Sequence, residues 1–451
     1  MSSLKQYIDL YRDHHDTLDK GSVALVNAMR PEALSRLEDA HLPDLSDERS
    51  QYTSVEQMFA PDYGVNLARV NIPVDIAATF ACNLPNLSTL MGIVVNDFFS
   101  PSSTLVNRLP EGVIFDSLRT VAAKRPELLE KYLNKISPQT DAGVNLNTLL
   151  MQDGVVIYIP ANVHLAKPLQ LVNIFSSPTP LMAVRRLLVI LGDGAKADIV
   201  VCDHTQDDAQ QYLASQVTEV YLGRDADLGF YTLEEASLRT SRYAQTFIEQ
   251  HEGSRLNLHY AALAAGVSRN EFVVDLLGEH AETLLTGMAI GMDREHVDCN
   301  TTVNHRVPRC HSNQVFRYVM GGTSQGVFDG GIVVTPDAPY TVAYQSNRNV
   351  LASTEARMHS KPRLEIYNDE VKCSHGATIG QLNEEALFYM RSRGIPATEA
   401  RVMLMQAFMA DVIDTVGLES LRDRLRHLVE MRFNGQSASC RRCSDTSDSK
   451  N

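Results

Sequence analysis

The segment from residue 151 to residue 380 repeats one local pattern, an apolar strand, a polar turn that contains glycine, and a second strand of alternating character. The pattern is visible in RLLVILGDGAKADIVVCDH, VTEVYLGRDADLGFYTL and FIEQHEGSRLNLHYAAL. The turn glycines recur at intervals of about 25–30 residues, a period typical of stacked repeats: Gly192, Gly223, Gly253 and Gly278. Small residues follow the turns and would let successive coils approach closely: Ala195, Ala226, Ser254 and Ala281.

This repeat favours a parallel β-helix, in which each coil turns apolar side chains inward and pairs its backbone with the coils on either side. An antiparallel sandwich or jelly roll also consists of many short strands joined by turns, so it stays open as the alternative on strand pattern alone. The sequence therefore predicts a mainly β core over residues 151–380.

Helical patterns are predicted on both sides of this core. Residues 1–150 form a mostly helical region in which Ser54 caps a short helix, although apolar runs such as GVIFDSL indicate occasional strands. Residues 381–433 form a second helical region, in which Asn383 caps the first helix. Residues 434–451 are rich in Ser, Asp and Arg and are predicted to be a disordered tail. The CRRC in this tail, Cys440 and Cys443, lacks a second Cys or His pair, so we assign it no function.

Composition argues against several classes of protein. The formal net charge is −14 and no long basic run is present, which argues against nucleic-acid binding. No apolar stretch reaches the roughly 18 residues of a membrane span, and the N-terminus is predicted as a first helix rather than an export signal. The seven scattered cysteines fit reduced thiols. A cytoplasmic protein without a membrane or nucleic-acid partner is therefore expected.

Common enzyme motifs are also missing from the sequence. It contains no G-x-x-x-x-G-K-[ST], so an ATP site of the P-loop type is not expected. The G-x-G-x-x-G, G-x-S-x-G and H-E-x-x-H motifs are absent as well. Cysteine and histidine are therefore the candidates for chemistry.

KCSHGATIGQL, which begins at Lys372, is the most informative of these candidates. Cys373 and His375 are two residues apart, so in an extended chain both side chains point to the same side. A thiolate and an imidazole so placed suit iron or zinc, and they also suit a Cys nucleophile with a His base. The alternative is that Cys373 is a small buried residue and His375 a hydrogen-bonded turn residue.

Two other Cys/His pairs give weaker signals. RCHS places Cys310 beside His311, and adjacent residues of a strand face opposite ways, so they make a poor common site. HVDCN supplies His296 and Cys299 with nothing to fix their partners. We expect ordinary packing at Cys310 and His311.

Residues 351–395, LASTEARMHSKPRLEIYNDEVKCSHGATIGQLNEEALFYMRSRGI, closely resemble the C-terminal signature of the SufB/SufD family of iron–sulfur cluster assembly proteins. EARVMLMQAF and GVVIYIPANVHLAKPLQL look similar to further parts of that family. SufB members carry a Glu-His-Glu type sequence where this chain has Ser374–His375–Gly376, and a cysteine where Gln345 to Ser353 has none. Both differences favour the SufD branch.

The resemblance implies a right-handed parallel β-helix flanked by α-helical N- and C-terminal regions, and a scaffold subunit without catalytic activity. It implies a β-helix heterodimer with SufB, and docking of the ATPase SufC on residues 381–433. A transient iron–sulfur cluster would be shared with SufB, with His375 as candidate ligand and Cys373 as a weaker one, and no cofactor would be held tightly by the isolated chain. A homodimer of the isolated chain is compatible with this picture. The alternatives are a SufB-like scaffold that builds a cluster in its own homodimer and, more remotely, a β-helix enzyme acting on polysaccharide.

Overall fold

Two large sheets dominate this computed structural model, which describes residues 2–74, 89–101, 109–206 and 208–435. The strands are β1 Leu90–Val95, β2 Phe98–Pro101, β3 Ile114–Ser117, β4 Val155–Ile159, β5 Leu169–Phe175, β6 Leu181–Leu191, β7 Lys196–Thr205, β8 Tyr212–Leu222, β9 Asp227–Glu235, β10 Thr240–Gln250, β11 Arg255–Ala264, β12 Val267–Leu276, β13 Glu282–Gly291, β14 His296–His305, β15 His311–Met320, β16 Gln325–Val334, β17 Val342–Leu351, β18 Arg357–Ile366 and β19 Lys372–Gly380. The helices are α1 Ser3–Lys20, α2 Ala24–Leu37, α3 Val55–Phe59, α4 Leu118–Lys124, α5 Pro126–Tyr132, α6 Ala142–Leu150, α7 Glu384–Ser392, α8 Ala397–Ile413 and α9 Glu419–Phe433.

From β4 onward, successive strands alternate between the two sheets, so each pair of strands makes one coil of a solenoid. Sheet I has the order β19-β17-β15-β13-β11-β9-β7-β5-β1-β2, and sheet II has the order β18-β16-β14-β12-β10-β8-β6-β4-β3. Neighbouring strands from β4 to β19 pair in parallel, and only β1–β2 and β3–β4 among the described pairs are antiparallel. The prediction of a parallel β-helix is confirmed, and the sandwich alternative is wrong.

The repeated turns explain the spacing seen in the sequence. The residue after each turn is fully buried between the sheets: Ala195, Ala226, Ser254, Ala281, Cys310 and Thr341. The residue before each of these has a positive φ, between 55° and 66°: Gly194, Asp225, Gly253, His280, Arg309 and Tyr340. Left-handed backbone reverses the chain sharply, and a small side chain then fits under the next coil. The role predicted for the small residues is confirmed.

The close approach of neighbouring coils can be tested at the turn glycine Gly278. A Cβ at Gly278 would overlap the backbone nitrogen of Glu252 and lie 2.5 Å from the His251 carbonyl carbon. Since backbone cannot rotate away as a side chain can, we expect Gly278→Ala to lower the free energy of unfolding by about 1–3 kcal/mol in urea titrations. Gly376→Ala is the control, because a Cβ there meets nothing within 4 Å. Equal stability of the two variants would contradict the close stacking.

The helices cover the outer faces of the two sheets. Helices α1, α2, α3 and α6 pack with Met182, Leu188 and Tyr243 on the outside of sheet II. The Ser54 hydroxyl accepts a hydrogen bond from the Gln57 N–H, which confirms the predicted cap. GVIFDSL contains β3, as expected, whereas β1 and β2 are strands that the sequence interpretation did not identify.

Helices α8 and α9 lie on the outside of sheet I. Met405, Met409 and Leu428 pack there against residues such as Leu233 and Ile290. The Asn383 side chain caps α7 by accepting from the Ala386 N–H at 2.9 Å, as predicted. Within the described ranges, no helix combines the length and apolar character needed to cross a membrane.

Candidate functional site

Among the described strands, β18 and β19 are the outermost of the two sheets, so the described solenoid is open at this end. Residues of β19 are exposed or partly exposed throughout, whereas every residue of β6, farther from this end, is buried. An edge strand presents a row of backbone N–H and C=O groups that can pair with another chain. This end is therefore a candidate protein–protein interface.

Cys373 and His375 both lie on β19, at this open end. They are in register with Ala343 and Gln345 of β17, both of which are buried inside the solenoid. Strand alternation places the two side chains on the same, inward side, as the spacing predicted. The interpretation of His375 as a turn residue is wrong, because the residue lies within a strand.

The two candidates differ in exposure. Cys373 is partly buried and packs against the buried apolar cluster that Ile332, Val334, Ala338 and Ala343 form. This burial raises the pKa of the Cys373 thiol, which disfavours the thiolate form that binds metal. His375 is exposed, so its ring could share a metal with a ligand from a second chain. The geometry therefore makes His375 the better candidate of the two.

The described residues do not form a complete metal site around His375. Among the described residues, no group of three or more His, Cys, Asp or Glu side chains is arranged to hold a metal ion. Tetrahedral zinc and iron–sulfur sites commonly use four protein donors. A metal or cluster bound at His375 would thus need ligands beyond those that the described residues bring together.

The other Cys/His pairs are separated by the fold. Cys310 fills a buried turn position, with its sulfur 3.2 Å from the Gly278 carbonyl oxygen, whereas His311 is exposed. Cys299 points into the solenoid, while His296 lies on the opposite side of β14 and hydrogen bonds to Thr53 at 2.7 Å. Burial lowers the pKa of His296 to about 4. Cys440 and Cys443 lie outside the described residues.

The sequence interpretation missed the polar interior next to the open end. Gln345, Asn347 and Asn349 alternate along β17, and all three are buried. The sequence does contain a signal for this feature, because an amide side chain occupies every second position of QSNRN, which is the period of a strand. Hydropathy alone would have placed these amides in solvent. They line the solenoid beneath Cys373, His375 and their neighbours on β19.

A second exposed surface lies on the C-terminal helices. Phe388 and Tyr389 of α7 are 72% and 58% exposed, and Met403 of α8 is 43% exposed. Large aromatic side chains are enriched at protein interfaces. We call these three residues the α7–α8 surface.

Comparisons with known proteins cover almost the whole chain. A family model described as "SUF system FeS cluster assembly, SufBD core domain" matches residues 174–408, and one described as "SufBD protein N-terminal region" matches residues 1–171. An iron–sulfur cluster assembly SufBD family protein of Synechocystis is 34% identical over 416 residues, which are 90% of this chain and 91% of that protein. The iron–sulfur cluster assembly protein SufD of Escherichia coli is 28% identical over 300 residues, 66% of this chain and 71% of that protein. SufD of Bacillus subtilis is 23% identical over 325 residues, 71% of this chain and 74% of that protein.

Proposed function

The chain belongs to the SufBD family of iron–sulfur cluster assembly proteins, and from this premise we propose that it is a non-catalytic scaffold subunit of the SufD type. In this role it pairs with SufB and with the ATPase SufC and supports cluster formation and iron acquisition at the SufB–SufD interface. The observation that carries the proposal is the open solenoid end, where an edge strand holds an exposed His375.

Pairing with SufB uses this end of the solenoid. Within the described part of the chain, no strand pairs with the outer edge of β18 or of β19, so a second solenoid could extend the two sheets across the junction. Main-chain hydrogen bonds of this kind give affinity, and the side chains between them give specificity. The exposed interior of the last coil would be covered at the same time.

The nascent iron–sulfur cluster is the cargo of this junction. A neutral imidazole ligates iron, so His375 would supply one ligand, with Cys373 as a weaker second candidate. The other ligands would come from SufB, which fits the incomplete donor set among the described residues. The isolated subunit would hold no cluster tightly.

Docking of SufC is proposed at the α7–α8 surface. Its two aromatic rings and one thioether offer apolar area that a partner can cover, and thioethers adapt their packing to a partner. The sequence contains no P-loop motif, so the energy of ATP hydrolysis would come from SufC.

The His375→Ala variant tests the central step. We expect less iron and less acid-labile sulfide in the complex purified with SufB and SufC, because one cluster ligand is removed. The unfolding midpoint of the isolated chain should not change, since His375 is exposed. His311→Ala is the matched control. His311 is also an exposed histidine on a strand of sheet I, but it lies on β15, two strands inward from β19 in that sheet.

Unchanged iron and sulfide in His375→Ala would remove His375 from the mechanism. Copurification of the wild-type chain with a SufC-type ATPase is expected, and its absence would count against the scaffold role. A stable cluster absorption band from the isolated chain would instead favour a SufB-like homodimer.

A further inference from the structure

Three polar side chains form a column that ends at the open end of the solenoid. Gln314 of β15, Gln345 of β17 and His375 of β19 are in register on neighbouring strands. Neighbouring strands lie about 4.8 Å apart, so each side chain in the column lies next to the following one. Gln314 and Gln345 are both buried inside the solenoid.

The two glutamines differ in their hydrogen bonds. Gln314 is satisfied at both ends, since its Nε2 donates to the Gly331 carbonyl at 3.2 Å and its Oε1 accepts from the Thr301 hydroxyl at 2.6 Å. Gln345 is 3% exposed, and neither its Nε2 nor its Oε1 hydrogen bonds to any described residue. Because both amide atoms are unpartnered, the choice of amide orientation does not affect this contrast.

The opposite sheet leaves room for the Gln345 amide. A Cβ at Gly330 of β16 would overlap Gln345 Nε2, so any larger residue there would displace the amide. The amides nearby are at least partly satisfied, because Asn347 Oδ1 accepts from Asn349 Nδ2 at 2.6 Å and from the Ser360 hydroxyl at 2.7 Å. Gln345 therefore stands apart from this network, with free hydrogen-bonding capacity next to His375.

A buried amide without a partner lowers stability, and such costs are found most often at functional sites. A histidine that binds metal through one ring nitrogen usually donates the other N–H to a fixed acceptor, which sets its tautomer and orientation. We infer that Gln345 is the positioning residue that accepts the ring N–H of His375 when His375 binds the cluster. This inference rests on the proposed function.

Two substitutions of Gln345 test the inference in the complex with SufB and SufC. Gln345→Met keeps the length of the side chain and removes both polar atoms, whereas Gln345→Glu keeps an acceptor. Challenge of the cluster-loaded complex with a chelator should show retention weakened by about 10- to 100-fold in Gln345→Met, the usual effect of losing such a hydrogen bond. Gln345→Glu should restore part of this loss.

The unfolding midpoint of the isolated chain distinguishes this positioning role from a purely structural role for Gln345. The isolated Gln345→Met chain should unfold at the same or a higher midpoint than wild type, since an unpartnered amide has been removed. Gln314→Met is the matched control, and its midpoint should fall because it breaks two hydrogen bonds. A lower midpoint for Gln345→Met would overturn the positioning role.

The double variant His375→Ala with Gln345→Met completes the test. If Gln345 acts through His375, the double variant should lose no more cluster than His375→Ala alone. Additive losses, or wild-type retention in Gln345→Met, would overturn the inference and leave the proposed function standing. Wild-type retention in His375→Ala would overturn both.

Discussion

Replacement of Glu219 by alanine is expected to lower the free energy of unfolding by about 3–5 kcal/mol. Glu219 lies on β8 and is fully buried, and its carboxylate forms a salt bridge with the equally buried Arg186 at 3.1 Å. It also accepts from the backbone N–H groups of Asn134, Ile136 and Ser137 at 2.7, 3.1 and 3.2 Å. The substitution would leave a buried guanidinium without its counter-charge and three backbone donors without their acceptor.

Denaturant unfolding of the isolated chain, followed by circular dichroism, measures this effect. Glu279→Ala is the control, because Glu279 forms an Arg–carboxylate pair of similar length with Arg309 at the surface. Exposed pairs contribute about 0–1 kcal/mol. The apolar double variant Arg186→Met with Glu219→Leu should be more stable than Glu219→Ala, since no buried charge is left unpaired. Equal losses in the buried and the exposed single variants would contradict this account.

The parts of the fold that could be predicted are those that local chemistry determines. Each turn needs a small residue that is buried under the next coil, and this requirement is visible as a short sequence pattern. The left-handed position before it is Gly, Asp, His, Arg or Tyr, so it has no such pattern. The helix caps at Ser54 and Asn383 are equally local, because each side chain bonds to a backbone N–H three residues later.

The parts that could not be predicted depend on contacts between distant segments. Strand β1 pairs with β5, whose first residue Leu169 is far from Leu90 in the sequence. Arg185 lies in an apolar run, and its partner Asp203 at 2.7 Å also binds Arg242 at 2.6 Å inside the solenoid. Charged residues are seldom fully buried unless paired, and one sequence does not show which residues pair.

The same division applies to the candidate site. The spacing of Cys373 and His375 correctly placed both on one side of a strand. The exposure of His375 follows from the position of β19 at the last described coil, and Gln345, which has no described hydrogen-bond partner, lies one coil further in. Local sequence does not show where a stack of coils ends.

Proline at position 377 should separate this chain from SufB without unfolding it. Lys372 N–H donates to the Thr341 carbonyl, so alternation along a parallel pair directs the Thr378 N–H toward β17 and the Ala377 N–H toward the open edge. Proline is tolerated on edge strands where its missing N–H would face outward. Ala377 is exposed, so the ring has space in the isolated chain.

In the proposed complex, this edge pairs with a strand of SufB. The proline removes one interfacial hydrogen bond and adds the bulk of its ring at the junction. We expect binding to SufB to weaken by about 3 kcal/mol, which raises the dissociation constant about a hundredfold. Titration of the labelled chain with SufB measures the constant, and Ala377→Val, which keeps the N–H, should bind like wild type. Thr378→Pro should instead destabilise the isolated chain, because it breaks the bond to β17. If Ala377→Pro bound SufB as tightly as Ala377→Val, the two proteins would not meet through this edge, and His375 would lose its place at a shared junction.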